Sequence, residues 1–390
     1  MKNRTLFPWK SLDDSLYFGS YAIFLITSLL STSFYYRMFI GYPYSWIQVV
    51  CIAMLIYREY RMGSAKQNWL ALAAVVAMGA LSLQYTIGNL TRLVPMMFLY
   101  IYGARNIHFV RIARISLWIS AVVVCVVVFS GYLGIIDNVV VAKGMRVREY
   151  LGFRYALYLP GILLNMTALW IYLRQERLPI SGVLLWTAVN SFVYVCTDSR
   201  ISFVLAEILL IVALLLRFAP FLKKRIHWIW GSLTGSYLIC AAFSYLFTGI
   251  YDGTVPWMRR LNSVLESRLS LGKRSLQDHG FGLFGRHISW VGNGLDAFGN
   301  VVEGSYTYVD CFYVKILQRY GLLFTASILG ILTWAMVRLW KRKEYILLLI
   351  CTTVAAHCIL DDLSFALHYN TFWIAMGMAI LNPNTLKRTA

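Results

Sequence analysis

The sequence has few charged residues. Only 14% of its 390 residues are Asp, Glu, Lys or Arg, whereas 59% are hydrophobic, and the mean hydropathy is +0.63. Soluble domains carry about 25% charged and roughly 45–50% apolar residues. This shortage excludes an ordinary soluble enzyme, so a count of soluble domains from chain length does not apply. The composition indicates a protein that crosses a membrane many times.

Motifs of common cofactor and metal sites are also missing. The sequence has no Walker A motif, no G-x-G-x-x-G after a strand and no H-E-x-x-H. No cluster of His, Cys and carboxylate residues has metal-ligand spacing. The seven cysteines form no C-x-x-C pair, and all except Cys311 lie in apolar runs, which indicates small buried hydrophobes. We therefore predict no metal and no cofactor, and we expect no nucleic-acid partner.

Long apolar runs are abundant. A membrane-spanning helix needs about 20 mostly apolar residues, and the runs predict an all-α, polytopic bundle of about 12 such helices (11–13). They lie at about 15–36, 39–57, 69–87, 93–104, 115–134, 156–173, 180–197, 201–217, 228–249, 320–338, 345–361 and 369–382. The run at 93–104 is short, so a re-entrant segment is the alternative there.

These runs divide the chain into three parts. Residues 1–249 hold helices 1 to 9 and an outer loop at 135–155, residues 250–308 form a large extracytoplasmic loop, and residues 309–390 hold helices 10 to 12 and a cytoplasmic tail. The pattern from Val255 to Leu271 predicts an amphipathic helix lying on the membrane at the start of the large loop.

Acidic residues are scarce, with 17 Asp and Glu against 36 Lys and Arg. With the N-terminus inside, 21 of the positive residues fall in short cytoplasmic segments, as the positive-inside rule requires. We therefore place both termini in the cytoplasm. The remaining 15 lie at the outer side, and ten of them are in two loops: Lys143, Arg146, Arg148, Arg154, Arg259, Arg260, Arg268, Lys273, Arg274 and Arg286. Pairing with outer acids is one explanation, and we favour an anionic ligand at the outer face.

Other residues able to do chemistry lie near the outer helix ends. Arg200 opens the eighth helix, and Glu207 follows two turns below on the same face, where an intramembrane acid suggests a function. A structural polar network is the alternative for Glu207. His357 and Asp361, with Asp362 close by, could instead neutralise arginines of the loops.

Several short motifs occur in a characteristic order along the chain. They are Tyr150-Leu-Gly-Phe153, T-x-S-R at Thr197 to Arg200, an asparagine-led S-R-L in Asn262 to Leu269, L-F-G at Leu283 to Gly285, V-D-x-x-Y at Val309 to Tyr313, and Y-G-L at Tyr320 to Leu322. This order, in a many-helix chain with one large late outer loop, resembles the Wzy-type O-antigen and capsular polysaccharide polymerases. Related sequences often continue the first motif into a His-Pro-Asn run, whereas this one reads Arg154-Tyr-Ala-Leu-Tyr-Leu. Roles tied to that His or Asn therefore do not transfer.

The resemblance implies a membrane glycosyltransferase of the bacterial cytoplasmic membrane. Such a polymerase joins undecaprenyl-pyrophosphate-linked repeat units at the outer face and releases undecaprenyl pyrophosphate. The implied partners are these lipid-linked glycans and membrane lipids, with a flippase and a chain-length regulator as further ones. An O-antigen ligase-type transferase is the alternative within the same fold. A lipid-glycan flippase or transporter is the alternative of another class, which would place charges at mid-membrane depth.

The chemistry suggests roles for individual residues. A pyrophosphate leaving group needs positive charge, which arginine supplies without a metal. We expect Arg200, Arg268 and Arg154 to bind it, with Arg146 and Arg274 as secondary ligands. The acceptor hydroxyl needs a base, for which His279 is the first candidate and Asp310 and Asp278 are rivals. A solvated loop histidine is the alternative for His279. The expected substrate contacts are Tyr313, Trp257, Trp290 and Ser199.

Overall fold

The protein is helical almost throughout. The computed structural model describes residues 12–63, 68–83, 93–143, 146–221, 225–301 and 303–386. Their helices are α1 (Leu12–Leu30), α2 (Tyr42–Met62), α3 (Trp69–Leu83), α4 (Leu93–Gly103), α5 (Phe109–Tyr132), α6 (Tyr158–Arg174), α7 (Ile180–Thr197), α8 (Arg200–Phe218), α9 (His227–Ser232), α10 (Ser236–Ile250), α11 (Pro256–Val264), α12 (Arg268–His279), α13 (Phe312–Lys341), α14 (Tyr345–His357) and α15 (Phe372–Leu381). Short 3₁₀ turns connect several of them, and β1 (Val140–Lys143) pairs antiparallel with β2 (Arg146–Glu149).

Five helical segments within the described ranges are long and apolar enough to cross a membrane. They are α5, α7, α8, α13 and the 24-residue stretch His227–Ile250, which joins α9 to α10. This agrees with the predicted helical membrane protein. Other predicted spans correspond to shorter helices: α14 has 13 residues and α15 has 10. The set of twelve spans therefore remains a prediction.

Two predictions for the helices around the large loop were wrong. The tenth predicted span begins at 320, whereas α13 begins at Phe312, because its first turns carry Lys315 and Arg319, which hid the helix from a search for apolar runs. The single amphipathic helix predicted from Val255 to Leu271 is two helices, α11 and α12. The chain breaks between them at Glu266 and Ser267, which both have positive φ.

The asparagine that begins the Asn262 to Leu269 motif explains that break. The side-chain oxygen of Asn262 accepts hydrogen bonds from the backbone nitrogens of Leu269 and Ser270, at 3.1 and 3.0 Å. Unpaired N–H groups at a helix start need such acceptors. Asn262 thereby caps the first turn of α12, so the chain starts a new helix at Arg268.

The helices form a bundle with two distinct ends. α1 packs against α2 and α5, α6 against α5 and α8, and α13 against α10 and α15. One end carries the β1–β2 hairpin, the long segment 251–311 and the connections 31–41 and 358–371. We call it the loop end. It is the end that the distribution of positive residues assigns to the outside.

A buried charge network lies at the opposite end. Arg58 is almost fully buried and donates to the Gly103 carbonyl at 2.7 Å and to the Glu59 carboxylate at 3.3 Å. Arg105, also buried, pairs with the other oxygen of Glu59 at 2.5 Å. Glu59 thus neutralises two buried guanidinium groups and joins α2 to the end of α4. Two arginines assigned to the cytoplasmic side by the positive-inside rule therefore also have a packing role.

Replacing Glu59 with glutamine is expected to lower the free energy of unfolding by about 3–5 kcal/mol, because two buried cations lose their counter-charge. The measurement is thermal unfolding of the purified protein in detergent. Asp137→Asn is the matched control, since Asp137 forms an exposed pair with Arg37 at 3.3 Å, and such pairs contribute about 0–1 kcal/mol. Equal effects of the two substitutions would contradict the role of Glu59.

Candidate functional site

A cavity of about 270 Å³ opens at the loop end of the bundle. Its charged and polar lining is Arg154, Lys315, Arg319, Asp362, His368, Ser31, Thr32, Tyr36, Tyr44, Tyr158, Tyr308, Tyr320 and Tyr369. Its apolar lining is Val94, Phe312, Ile316, Leu363, Phe365 and Ala366. Three cations and one carboxylate therefore share a space whose lining also includes hydroxyl groups and apolar side chains.

The Y-L-G-F motif places Arg154 in this cavity. Leu151 and Gly152 both have positive φ, and a Cβ on Gly152 would lie 2.7 Å from the Val127 carbonyl oxygen of α5. Only glycine allows the turn to approach α5 this closely. The Gly152 carbonyl accepts from the Phe34 nitrogen at 3.1 Å, which ties the turn to the segment after α1. Arg154 follows directly.

Lys315 and Arg319 lie one turn apart on α13. Between them, Gln318 is fully buried and donates to the Ser275 and Gly280 carbonyls at 3.0 and 3.1 Å. These bonds join the start of α13 to α12. Because residues four apart share a helix face, both cations point toward the same cavity.

The L-F-G and Y-G-L motifs meet directly below these cations. α13 is broken at Gly321, with φ 87° and ψ 175°, and the freed Leu322 nitrogen donates to the Gly282 carbonyl at 2.9 Å. A Cβ on Gly321 would overlap the Gly285 nitrogen and lie 2.5 Å from the Leu283 oxygen. Two backbones therefore cross at a pair of glycines, and this crossing fixes the outer segment against the cation-bearing turns of α13.

The three cations of the cavity differ in their partners. Lys315 is paired with Asp362, and both contact the Tyr308 hydroxyl. Arg154 donates to the Ser31 and Leu295 carbonyls, at 2.6 and 3.3 Å. Arg319 donates to the Ile288 carbonyl at 3.4 Å, and its guanidinium lies 5.1 Å from the centroid of a tryptophan ring. Within the described ranges, neither arginine has a carboxylate partner, so their charges are free to meet an anion.

Four buried polar atoms around the cavity have no hydrogen-bond partner among the described residues. They are the Tyr36 and Tyr369 hydroxyl oxygens, Nε of Arg154 and Nδ1 of His368. Buried polar groups are nearly always paired with protein, water or ligand. All four belong to residues that line the cavity, so its wall contains polar groups whose hydrogen bonding the described residues do not complete.

A second charged cluster lies beside the cavity. Arg268 pairs with Asp310 at 3.1 Å, both side chains are buried, and Nε of Arg268 donates to the Leu360 carbonyl at 2.9 Å. The Tyr306 hydroxyl donates to the same Asp310 oxygen at 2.6 Å. Burial raises the pKa of Asp310 above its ordinary value, although Arg268 and the Tyr306 hydrogen bond act in the opposite direction. The charges of Asp362 and Lys315, which line the cavity, also act on the pKa of Asp310.

Three of the five predicted pyrophosphate ligands lie outside both clusters. Arg146 and Arg200 share the carboxylate of Asp198, at 3.1 and 3.3 Å, near the surface of the loop end. Arg274 lies 3.7 Å from Asp278 on α12, and both side chains are exposed. Of the predicted ligands, Arg154 lines the cavity and Arg268 holds Asp310.

The predicted bases separate in a similar way. The side chains of His279 and Asp278 are exposed at the end of α12, where the His279 carbonyl accepts from Arg286 at 2.8 Å. Asp310 is the predicted base that the structure places next to the cavity.

The predicted substrate contacts occupy four different environments. Tyr313 is fully buried and donates to the Ala355 carbonyl at 2.8 Å. Trp290 donates to Ser275 at 3.1 Å, and its ring is flanked by the Lys315 and Arg319 cations. Trp257 is exposed on α11, and Ser199 is buried at the start of α8. None of the four lines the cavity as described.

The intramembrane acid has a structural explanation. Glu207 of α8 accepts hydrogen bonds from Thr187 at 2.7 Å and Asn190 at 3.1 Å, both on α7. Its carboxylate therefore joins two neighbouring helices, as the alternative interpretation of this residue expected.

The sequence did not predict that Lys315, Arg319 and Asp362 line one cavity, and it did not single out Tyr308. A usable signal was present, since Lys315 and Arg319 lie four residues apart on the turn that leads into an apolar run. Among the described residues, no group of three or more His, Cys, Asp or Glu side chains could hold a metal ion.

Comparison with known proteins gives no match. The chain matches no family model, no curated protein and no solved structure. The function must therefore be argued from the cavity itself.

Proposed function

We propose that the protein is a polysaccharide polymerase that joins lipid-diphosphate-linked oligosaccharide units at the outer face of the bacterial cytoplasmic membrane. The observation that carries the proposal is the cavity at the loop end, which is lined by Arg154 and Arg319, two cations without a carboxylate partner among the described residues. The motif resemblance to Wzy-type polymerases supports the same class.

The charge of the cavity suits a diphosphate. Lys315 is neutralised by Asp362, which leaves the guanidinium groups of Arg154 and Arg319. A diphosphate esterified at both ends carries one negative charge on each phosphate, so the two arginines match it. Guanidinium forks bind phosphate oxygens with good geometry and never lose their proton.

The apolar part of the lining suits a lipid. Phe312, Ile316 and Phe365 lie in the same cavity as the cations. A ligand with an anionic head and a hydrocarbon chain can satisfy both parts, whereas a free sugar or an inorganic anion satisfies one. This favours a polyprenyl diphosphate over a soluble substrate.

The proposed reaction needs no metal. The bond between the donor sugar and the diphosphate oxygen breaks, and the electron pair leaves with the diphosphate, whose developing charge Arg154 and Arg319 stabilise. A hydroxyl of the acceptor glycan forms the new glycosidic bond and gives its proton to a base. We assign that base to Asp310, because its carboxylate is adjacent to the cavity and oriented by Arg268 and Tyr306.

The test is a reconstituted chain-lengthening assay. Purified protein in liposomes is supplied with an undecaprenyl-diphosphate-linked repeat unit, and products are resolved by size. The proposal expects a ladder of longer lipid-linked glycans, with one undecaprenyl diphosphate released for each unit added. Unchanged substrate that crosses the bilayer would favour a flippase. Transfer of a single glycan to another acceptor without lengthening would favour a ligase. Either result would overturn the polymerase proposal.

Acidification is expected to stop transfer at a pH above the ordinary titration range of an aspartate. Burial raises the pKa of Asp310 above its usual value of 3.8, so the carboxyl gains its proton earlier as the pH falls. A protonated Asp310 cannot accept the acceptor proton. The check is a pH–rate profile of wild type and Asp310→Asn. Residual activity of the variant with the same acidic limb as wild type would show that another group titrates.

A further inference from the structure

Helix α11 has an apolar face that is largely exposed in the described part of the chain. Trp257 is 52% exposed and Val264 73%, and the half-buried Leu261 lies between them on the helix surface. The opposite side packs inward through Asn262, which is buried. Exposed tryptophan and valine on one helix face are typical of a helix lying in a membrane interface.

The apolar face continues a surface that faces lipid. The ring of Trp257 packs edge-on against Phe247 of α10, with centroids 6.3 Å apart. α10 belongs to a segment long and apolar enough to cross a membrane, and it exposes Ile239, Leu246 and Ile250. α11 thus begins where the apolar side of a candidate span ends, which is the depth at which tryptophan side chains concentrate.

The same helix also carries positive charge, on Arg260 beside the apolar face and on Arg259 further round the helix. Arg259 and Arg260 are exposed. Arg259 bonds only to the Gly253 and Thr254 carbonyls, at 3.1 and 3.4 Å, and neither arginine has a carboxylate partner in the described part of the chain. Cations on such a helix complement the phosphates of anionic lipids.

We propose that α11 is an interfacial anchor that binds the anionic phospholipid surface of the outer leaflet, with Trp257, Leu261 and Val264 inserted and Arg259 and Arg260 on the lipid phosphates. The anchor is joined directly to the charged cluster. Asn262 of α11 caps α12, whose first residue, Arg268, pairs with Asp310. Contact of α11 with the bilayer surface thereby sets the distance of the Arg268–Asp310 pair from the membrane. This inference is independent of the polymerase proposal.

The test is site-specific photo-crosslinking in the full-length protein. Benzoylphenylalanine replaces Trp257 or Val264, and the matched control replaces Ser263, which is exposed on another face of the same helix. The variants are reconstituted in vesicles of phosphatidylglycerol and phosphatidylcholine in equal amounts, irradiated and analysed by intact mass. Lipid adducts at positions 257 and 264 are expected to exceed those at 263 by at least about 5-fold. Equal yields, or adducts with polypeptide instead of lipid, would overturn the proposal.

A second experiment, which tests the role of Arg259 and Arg260, uses the same vesicles. In the position-257 protein, phosphatidylglycerol is expected to be enriched over phosphatidylcholine by about 5-fold among the adducts. Adding Arg259→Gln and Arg260→Gln should return this ratio to that of the vesicle, whereas Arg274→Gln on α12 should leave it unchanged. Enrichment that survives loss of both arginines would contradict their role. A thermal transition like that of wild type shows that each variant is folded.

Discussion

Replacing Arg319 with glutamine is expected to lower the rate of glycan transfer by about 100-fold, because removing one preorganised donor from a developing anion typically costs about 10²–10³ in rate. Glutamine keeps some of the stem that packs near Trp290 but removes the charge that has no carboxylate partner among the described residues. The measurement is the initial rate of chain lengthening in proteoliposomes.

Arg37→Gln is the matched control for that substitution. Arg37 lies at the same end of the bundle but forms an exposed pair with Asp137 outside the cavity. Its loss is expected to leave the rate within about 2-fold of wild type, as expected for an exposed ion pair. If both variants lost activity equally, general positive charge at the loop end would be the cause rather than the cavity.

Gly321→Ala is expected to destabilise the protein by more than about 4 kcal/mol. The backbone conformation at Gly321 is one that only glycine adopts readily, and such strain alone costs about 1–3 kcal/mol for another residue. The added Cβ would also overlap the Gly285 backbone. Relieving this overlap would require α13 or the segment 282–286 to shift, which costs further folding free energy.

Gly330→Ala in the same helix is the control. A Cβ at Gly330 meets no atom within 4 Å, and alanine favours a helix over glycine by about 1 kcal/mol. Thermal unfolding should therefore show a large loss for Gly321→Ala and no loss for Gly330→Ala. A transition of Gly321→Ala close to that of wild type would contradict the glycine crossing. Any folded fraction should also transfer glycan poorly, because the crossing fixes the turns that carry Lys315 and Arg319.

Much of the helical architecture could be predicted from hydropathy, because a run of apolar residues identifies a helix that can cross a membrane. Its failures have physical reasons. α13 begins eight residues before its predicted start because Lys315 and Arg319 point into a cavity instead of lipid. The sequence predicts α11 and α12 as one helix because both are amphipathic. The break between them depends on the Asn262 side chain, which caps α12, and a hydropathy pattern does not show such a cap.

The candidate site could be predicted only in part. The excess of positive residues indicated an anion site at one end, and Arg154 and Arg268 lie there. The sequence shows which arginines lie at the outer side, however, but not which of them come together in space. It therefore predicts Arg200 and Arg274 as pyrophosphate ligands, although they pair with acids at the surface. Histidine has the more suitable ordinary pKa for a base, so the sequence alone favours His279 over Asp310. The exposure of His279 and the burial of Asp310 emerge only from packing.

The affinity of the cavity for a lipid diphosphate tests the central claim most directly. Calorimetric titration of the purified protein with undecaprenyl diphosphate should give one site per chain, because the proposal assigns the diphosphate to this cavity alone. Arg154→Gln and Arg319→Gln should each raise Kd by at least about 10-fold, equivalent to one charge-assisted contact, whereas Arg37→Gln should leave it unchanged. Equal affinity in wild type and in both cavity variants would contradict the account.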